Sequence, residues 1–186
     1  MALLKEQAMT AMDKTLTAKL SSARVLLVDD EPYMRKVVRT MLLGLGVRAV
    51  HEAEDGLSGL AMIRTHAPDV VILDWEMPGL NGTSFVRMVR SPETFPLPDV
   101  PIIMLTGHGE KQRVMEAVCV GVNEFLLKPV STNALRDRLV SVLLKPRKIV
   151  SSGPYYGPMP RKFATALHAN AHADSDEAVA KIFMVN

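Results

Sequence analysis

Short apolar runs alternate with longer amphipathic stretches between about residues 24 and 145. Five runs have the length and β-rich composition of strands, and they cover residues 24–28, 47–52, 70–73, 102–105 and 124–127. Between them, apolar residues recur at the spacings of three and four that are typical of helices with one buried face. Runs such as VLLV and VVIL are apolar throughout, as in strands that are covered on both faces. The pattern therefore predicts an α/β fold around a parallel, doubly wound sheet.

Residues that favour helix ends support this assignment. Pro32, Asn81 and Ser131 lie where three of the predicted helices begin. Gly44 and Gly46 lie where the first helix of this region is expected to end.

Polar residues follow four of the five predicted strands directly. Asp29 and Asp30 come after the first strand, Asp74 after the third, Thr106 after the fourth and Lys128 after the fifth. In open α/β sheets the functional site lies beyond the carboxyl ends of the strands. We therefore expect these side chains to converge at one edge of the sheet, although about a hundred residues separate the first from the last.

Such a cluster has the parts of a phosphoryl-transfer site. Three neighbouring carboxylates repel each other unless a cation or a proton compensates, and Mg²⁺ is the hard divalent ion that suits oxygen ligands and phosphoryl oxygens. A lysine holds one carboxylate ionised and then neutralises an incoming phosphoryl oxygen, to which a threonine hydroxyl can donate. A carboxylate would attack phosphorus, while the metal and the lysine absorb the charge.

Four sequence motifs carry a resemblance to a known family. They are VLLVDDEP, VVILDWEMPGLNG, IIMLTG and EFLLKP, in that order along the chain. Residues 23–145 resemble the receiver domain of bacterial two-component response regulators, of the stand-alone, CheY-like type. This resemblance implies a flavodoxin-like (βα)5 fold with strand order 2-1-3-4-5. Residues 1–22 and 146–186 would then form N- and C-terminal extensions.

The resemblance also implies roles for the clustered residues. Asp74 would be the phosphoacceptor, Asp30 a direct Mg²⁺ ligand and Asp29 a ligand acting mainly through water. The backbone carbonyl of Glu76 would complete the protein ligands. Lys128 would pair with the phosphoryl group, and its peptide bond to Pro129 is cis in the family.

By the same resemblance, Thr106 and Phe125 would form a switch. The Thr106 hydroxyl would swing inward on phosphorylation, Phe125 would rotate with it, and Gly107 would leave space for the phosphoryl group. The readout surface would be the fourth helix, fifth strand and fifth helix of the family fold. Glu76 and His108 occupy positions that tune how fast water reaches the phosphoryl group, and solvent-facing side chains without such a role are the alternative for both.

Composition narrows the possible partners. The chain has 186 residues and a net charge of +2, with neither a basic block nor a charge-skewed half, so neither nucleic acid nor an anionic membrane is an expected partner. No window approaches the roughly 18 consecutive apolar residues of a membrane span. The single cysteine, Cys119, cannot form an internal disulfide. We expect it to pack on the apolar side of its helix, in a reducing, cytoplasmic setting.

Each extension carries an apolar stripe of its own. Met9, Met12, Leu16 and Leu20 form one at the N-terminus. Residues 146–163 are rich in Pro, Gly and Ser and predict a linker or extended arm. Beyond residue 163, Asp174 and Glu177 have the spacing of a capping box. A possible terminal helix would begin there and carry the stripe of Ala178, Val179, Ile182 and Phe183. One or both extensions could pack on the receiver of the same chain or on a second subunit. Packing on a second subunit would make a homodimer.

The functional prediction is a response regulator that takes a phosphoryl group from a sensor histidine kinase onto Asp74 and signals through protein contacts. It would catalyse its own Mg²⁺-dependent phosphorylation and dephosphorylation without turning over a metabolite. A phosphorelay shuttle to a histidine phosphotransferase is an alternative that the sequence does not separate from this. An aspartyl-nucleophile phosphatase and a DNA-binding regulator acting through the basic tail are less favoured alternatives.

Overall fold

The structure is a computed structural model that describes residues 14–107 and 111–160. His108, Met9, Met12 and the possible terminal helix lie outside the described residues. Five parallel strands form the main sheet in the order β2-β1-β3-β4-β5. The strands are β1 (Arg24–Val28), β2 (Ala49–Ala53), β3 (Val70–Asp74), β4 (Ile102–Thr106) and β5 (Glu124–Leu127). The flavodoxin-like fold and the predicted strand order are confirmed.

The register of the sheet brings the carboxyl ends of the central strands together. Val28 pairs with Leu73, Asp74 with Leu105, and Thr106 with Leu127. The residues that end β1, β3, β4 and β5 therefore share one edge of the sheet, as the order of the predicted strands implies.

Six helices lie in the described part of the chain: α1 (14–22), α2 (Pro32–Gly44), α3 (Gly56–His66), α4 (Gly82–Val89), α5 (Lys111–Cys119) and α6 (Thr132–Leu144). The predicted helix ends are confirmed at several positions. Pro32 is the first residue of α2, and that helix ends at Gly44. The side chains of Asn81 and Ser131 cap α4 and α6, since each accepts a hydrogen bond from a backbone N–H of the first turn.

The helices cover both faces of the sheet. Val25 and Leu27 of β1 face a core that α1, α2 and α6 complete, whereas Leu26 and Val28 face a core that α3, α4 and α5 complete. Successive strand residues point to opposite faces, so the continuous apolar run of β1 supplies both cores. This is the doubly wound arrangement predicted from the apolar runs.

Helix α1 belongs to the packed structure. Leu16 and Leu20 are 5% and 3% exposed and lie in the same core as Val38 and Leu42 of α2. Leu16 and Leu20, the two residues of the N-terminal stripe that the structure describes, thus pack on the domain that follows them.

A β-hairpin stands where the sequence suggests a linker or extended arm. Strands β6 (Ile149–Ser152) and β7 (Tyr155–Pro158) pair antiparallel. The hairpin docks at the amino ends of β4 and β5, since Tyr156 Oη donates to Asp99 Oδ1 at 2.5 Å. Just before the hairpin, Arg147 Nη2 donates to the carbonyl of Asn123. These partners lie at least 24 residues away along the chain, so local composition could not reveal them.

Two glycines allow the close approach of the hairpin. A Cβ atom on Gly121 would lie 2.9 Å from the carbonyl oxygen of Tyr156, and one on Gly157 would lie 2.9 Å from the Cα of Gly121. Gly121 also has φ +94°, in the left-handed region that favours glycine.

Arg90, directly after α4, lies beneath the hairpin and is 5% exposed. Its Nε donates to the carbonyl of Gly121 at 3.0 Å and its Nη2 to Asn123 Oδ1 at 2.9 Å. Its Nη1 donates to the carbonyls of Pro98 and Val100. We call Arg90 with these acceptors the Arg90 cluster. Burial lowers the pKa of Arg90 to about 10, so the guanidinium keeps its charge at neutral pH.

Two further observations bear on the sequence predictions. Cys119 is exposed, so its predicted packing on the apolar side of the helix is wrong: α5 turns this residue away from the core that Val114 and Ala117 reach.

Among the helices of the described ranges, none combines the length and the apolar character needed to cross a lipid bilayer.

Candidate functional site

Three carboxylates meet at the carboxyl end of the sheet. Asp29 and Asp30 follow β1, and Asp74 is the last residue of β3. One oxygen from each of the three carboxylates lies within 4.8 Å of the other two. Asp29 is fully buried and Asp74 is 5% exposed, while Asp30 is the most exposed of the three. The structure thus brings together the acidic residues that the sequence singles out.

Lys128 supplies a positive charge to this cluster. Its Nζ lies 2.8 Å from Asp74 Oδ1 and 3.2 Å from Asp29 Oδ2. The backbone holds it in place, because Lys128 N–H donates to the carbonyl of Thr106 at 2.7 Å. The Lys128–Pro129 bond is cis, as the resemblance implies.

Burial and charge act against each other in this cluster. Burial raises the pKa of Asp74 to about 6, although the hydrogen bond and charge of Lys128 act in the opposite direction and the Asp29 charge adds to the rise. For Lys128, burial alone lowers the pKa, but its interactions with Asp74 and Asp29 together outweigh burial and raise it. One ammonium group therefore offsets only part of the cost of crowding these carboxylates.

The loop after β1 is fixed by its own hydrogen bonds. The Glu31 backbone N–H donates to Asp29 Oδ1 at 2.8 Å, and Arg35 Nη1 donates to the Asp29 carbonyl at 2.7 Å. With Lys128 on the second oxygen, the Asp29 carboxylate is held on both sides. Asp30 is left as the more accessible oxygen donor of the pair.

Thr106 and Phe125 lie on the adjacent strands β4 and β5. Thr106 ends β4 and is fully buried. A Cβ atom added to Gly107 would meet no atom within 4 Å, so there is room beside the end of this strand. Phe125 is buried, and its ring makes an edge contact with the Trp75 ring at a centroid distance of 6.4 Å. An aromatic pair therefore links the residue after Asp74 to β5.

An open cleft of about 630 Å³ leads from solvent toward the cluster. Its lining residues come from the loops after β1 and β3 and from α4 and α5: Asp30, Trp75, Glu76, Met77, Pro78, Asn81, Thr83, Arg113 and Glu116. Glu76 forms an ion pair with Arg113, in which Glu76 Oε1 lies 2.6 Å from Arg113 Nη1. Sequence reasoning missed Arg113, because nothing in the pattern distinguishes it from other charged residues on the polar face of a helix.

The chemistry of the donor set fits a hard divalent cation. Three carboxylates converge, two of them are buried, and the third, Asp30, lines an open cleft. Such ions take oxygen ligands and often retain water and phosphoryl oxygens in the remaining positions. Lys128 adds a point charge 2.8 Å from Asp74 Oδ1. The arrangement can bind a cation and stabilise an anionic group attached to Asp74.

Comparison with known proteins agrees with this geometry. The family model described as "Response regulator receiver domain" matches residues 25–140. The chain belongs to the response regulator receiver family. The chemotaxis protein CheY-3 of Vibrio cholerae is 34% identical over 116 residues, which are 62% of this chain and 88% of that protein. CheY1 of Helicobacter pylori is 38% identical over 121 residues, which are 64% of this chain and 96% of that protein.

Solved receiver structures cover a similar share of the chain. Vibrio cholerae CheY4 aligns with a TM-score of 0.60 at 35% identity, covering 65% of this chain and 98% of that one. A CheY of Borrelia burgdorferi, in a complex described as CheX-CheY-BeF3-Mg+2, aligns with a TM-score of 0.60 at 25% identity, covering 66% of this chain and 90% of that one. The family match ends before the hairpin of residues 149–158, which is therefore additional to the matched domain.

Proposed function

We propose that this receiver accepts a phosphoryl group from a sensor histidine kinase onto Asp74 and signals through phosphorylation-dependent protein contacts. The observation that carries the proposal is the meeting of the Asp29, Asp30 and Asp74 carboxylates beside an open cleft, with Asp29 and Asp74 both paired with the Lys128 ammonium. The proposal includes the cytoplasmic setting and the absence of metabolite turnover expected from the sequence. The position of Asp74 at the end of β3, within a receiver match, weighs against the phosphatase alternative.

The Mg²⁺ site of the proposal consists of oxygen donors from two loops. Asp30 and Asp74 would bind the ion directly, Asp29 would act mainly through water, and the backbone carbonyl of Glu76 would complete the protein ligands. Two of these carboxylates are buried with only Lys128 as their shared cation in the described part of the chain, so a divalent ion would offset the remaining repulsion. When bound, Mg²⁺ supplies charge neutralisation for the transferring phosphoryl oxygens.

The reaction that follows is a displacement at phosphorus. A carboxylate oxygen of Asp74 attacks the phosphorus of a phosphohistidine; a P–O bond forms, the P–N bond breaks, and the donor imidazole keeps the electron pair. Lys128 Nζ lies 2.8 Å from Asp74 Oδ1, so it holds the carboxylate ionised and stays within reach of the transferred oxygens. Hydrolysis of the acyl phosphate by water later regenerates Asp74.

The proposed output is a shift in the switch residues. A phosphoryl group on Asp74 adds close to two negative charges and three acceptor oxygens. Thr106 would move toward these oxygens, Phe125 would fill the space that Thr106 leaves, and the face formed by α5, β5 and α6 would change its contacts with a target protein.

Incubation of the full chain with Mg²⁺ and acetyl phosphate tests the proposal. We expect acid-stable, base-labile phosphate on wild type and none on Asp74→Asn, with Asp137→Asn, an exposed carboxylate on α6, as the control. Equal labelling of wild type and Asp74→Asn would contradict the assignment of Asp74. Beryllofluoride binding, which requires Mg²⁺ and Asp74 in the proposal, provides a second measurement.

Transfer of radiolabelled phosphate from the loaded protein to histidine phosphotransferases would separate the two modes of signalling. Rapid transfer to one phosphotransferase favours the shuttle, whereas retention of the label favours a regulator that binds its target directly.

A further inference from the structure

An ion pair bridges the cleft beside Asp74. Arg113 belongs to α5, and Glu76 belongs to the loop that follows β3. Besides its 2.6 Å contact with Glu76, the Arg113 guanidinium lies 5.8 Å from the centroid of the Trp75 ring. Arg113 therefore contacts both residues that directly follow Asp74. The pair ties α5 to the loop that carries the phosphoacceptor of the proposed function.

The charges around the cleft give this pair a specific consequence. Asp30, Glu76 and Glu116 line it with carboxylates, and Arg113 is the one cation among the lining residues that the structure describes. A phosphoryl group on Asp74 would add close to two more negative charges. That group would repel the Glu76 carboxylate, and the ion pair with Arg113 opposes this repulsion and favours the position of Glu76 at the cleft.

We propose that Arg113 is a positioning residue that holds the Glu76 side chain across the cleft and thereby limits the access of water to a phosphoryl group on Asp74. This inference rests on the proposed phosphorylation of Asp74. It assigns to α5 a direct part in setting the phosphoryl lifetime, in addition to its place on the readout face.

The aromatic contacts extend the coupling to β5. The Trp75 ring lies between the Arg113 guanidinium and the Phe125 ring, with which it makes the edge contact at 6.4 Å. A partner that shifts α5 would therefore disturb the Arg113–Glu76 pair and change the phosphoryl lifetime. By linkage, closing the cleft would in turn favour the position of α5 seen here.

The decay of labelled protein tests the proposal. Full-length variants are loaded with acetyl phosphate and Mg²⁺, freed of donor, and followed by loss of acid-stable label. Because exposed ion pairs are weak, we expect lifetimes about two- to five-fold shorter in Arg113→Ala and Glu76→Ala. The double variant should be no shorter than the faster single variant, and Arg113→Lys should recover part of the loss. Arg39→Ala, which removes a comparable 2.9 Å ion pair with Glu52 away from the cleft, is the control and should keep the wild-type lifetime.

Quenching of Trp75 fluorescence by acrylamide provides a readout that needs no phosphorylation. Trp75 is the single tryptophan of the chain and is 7% exposed at the cleft. We expect a larger quenching constant in Arg113→Ala and Glu76→Ala than in wild type and Arg39→Ala, with thermal unfolding confirming that all are folded. Equal quenching in all proteins would overturn the positioning role, as would labelled proteins with equal lifetimes or fully additive effects in the double variant. Failure of wild type to take up label, with the quenching difference present, would instead refute the phosphorylation of Asp74.

Discussion

At the carboxyl end of the sheet, Asp29 and Asp74 are buried beside one ammonium group, and their neighbour Asp30 lines an open cleft. At the amino end, the guanidinium of Arg90 is just as buried, but three backbone carbonyls and the Asn123 side chain accept from its nitrogens, and a hairpin covers it. Both ends thus bury charge. Their difference lies in what surrounds the charge and in whether anything else can reach it.

Neutral carbonyl dipoles in fixed positions satisfy the donors of Arg90 without leaving capacity for a ligand. The carboxylates at the opposite end have more acceptor capacity than one lysine can use, and their mutual repulsion favours an added cation. Burial of charge by itself therefore does not mark a binding site. A deficit of counter-charge together with solvent access does, and that combination singles out the carboxyl end.

The largest effect on the free energy of unfolding should come from removing the guanidinium group of the Arg90 cluster. Arg90→Met leaves the carbonyls of Pro98, Val100 and Gly121 buried without their donor, so we expect the free energy of unfolding to fall by about 3 kcal/mol. Urea denaturation measures the loss, and Arg87→Ala, which removes an exposed arginine from α4, should be within about 0.5 kcal/mol of wild type. A loss below about 1 kcal/mol in Arg90→Met would show that the cluster is not the stabilising feature we infer.

Steric displacement of the hairpin should have the next largest effect. Gly157→Ala places a Cβ 2.9 Å from the Cα of Gly121, and because both are backbone positions neither can yield without moving the hairpin. We expect a loss of about 2 kcal/mol in urea denaturation. Gly44→Ala is the matched control: its Cβ meets no atom within 4 Å at the end of α2, and it should be neutral or slightly stabilising. Equal stability of the two variants would contradict the close docking of the hairpin.

Removing a charge at the carboxyl end should act in the opposite direction. In Mg²⁺-free buffer, Asp74→Asn relieves the crowding of three carboxylates and the burial of one of them, so we expect a gain of about 1 kcal/mol in unfolding free energy. Excess Mg²⁺ should reduce or reverse the difference, since an ion that binds the folded wild type stabilises it by mass action. Thermal melts with EDTA and with Mg²⁺ measure both effects, and a less stable Asp74→Asn in EDTA would count against crowding as the dominant feature.

The smallest effect concerns the edge of the hairpin. Tyr156→Phe removes the 2.5 Å hydrogen bond to Asp99 at the surface, for which we expect a loss of about 0.5 kcal/mol. Tyr33→Phe, whose side chain is 69% exposed, should show no measurable change. A loss above about 2 kcal/mol in Tyr156→Phe would mean that this bond, rather than the Arg90 cluster, fixes the hairpin.

The two ends also differ in how far the sequence predicts them. Asp29, Asp74, Thr106 and Lys128 each follow a strongly apolar run directly, so local pattern and the alignment of parallel strands predict their meeting. Arg90 has no such signal, because its partners are backbone carbonyls, which every residue type carries. The Pro, Gly and Ser content of residues 146–163 predicts a linker or arm. The hairpin forms there because distant contacts at Asp99, Gly121 and Asn123 stabilise it, and local composition does not reveal them.

The exposure of Cys119 and the Arg113–Glu76 ion pair also differ from what the sequence predicts, because neither is determined by local sequence pattern. The exposure of Cys119 depends on the rotation of α5 about its axis, which a nine-residue helix of mixed composition does not define from periodicity alone. The Arg113–Glu76 pair joins residues 37 positions apart, and either side chain alone is typical of a solvated surface.

The packing of α1 on the sheet has a consequence for the boundaries of the cooperative unit. The match to the family model begins at Val25, yet Leu16 and Leu20 are buried in one core with residues of α2 and of the strands in the matched segment. A fragment trimmed to the homologous span would expose this apolar face and, at its other end, lose the hairpin over Arg90. The family match covers residues 25–140, whereas the folded unit of this chain also includes α1 before that segment and the hairpin after it.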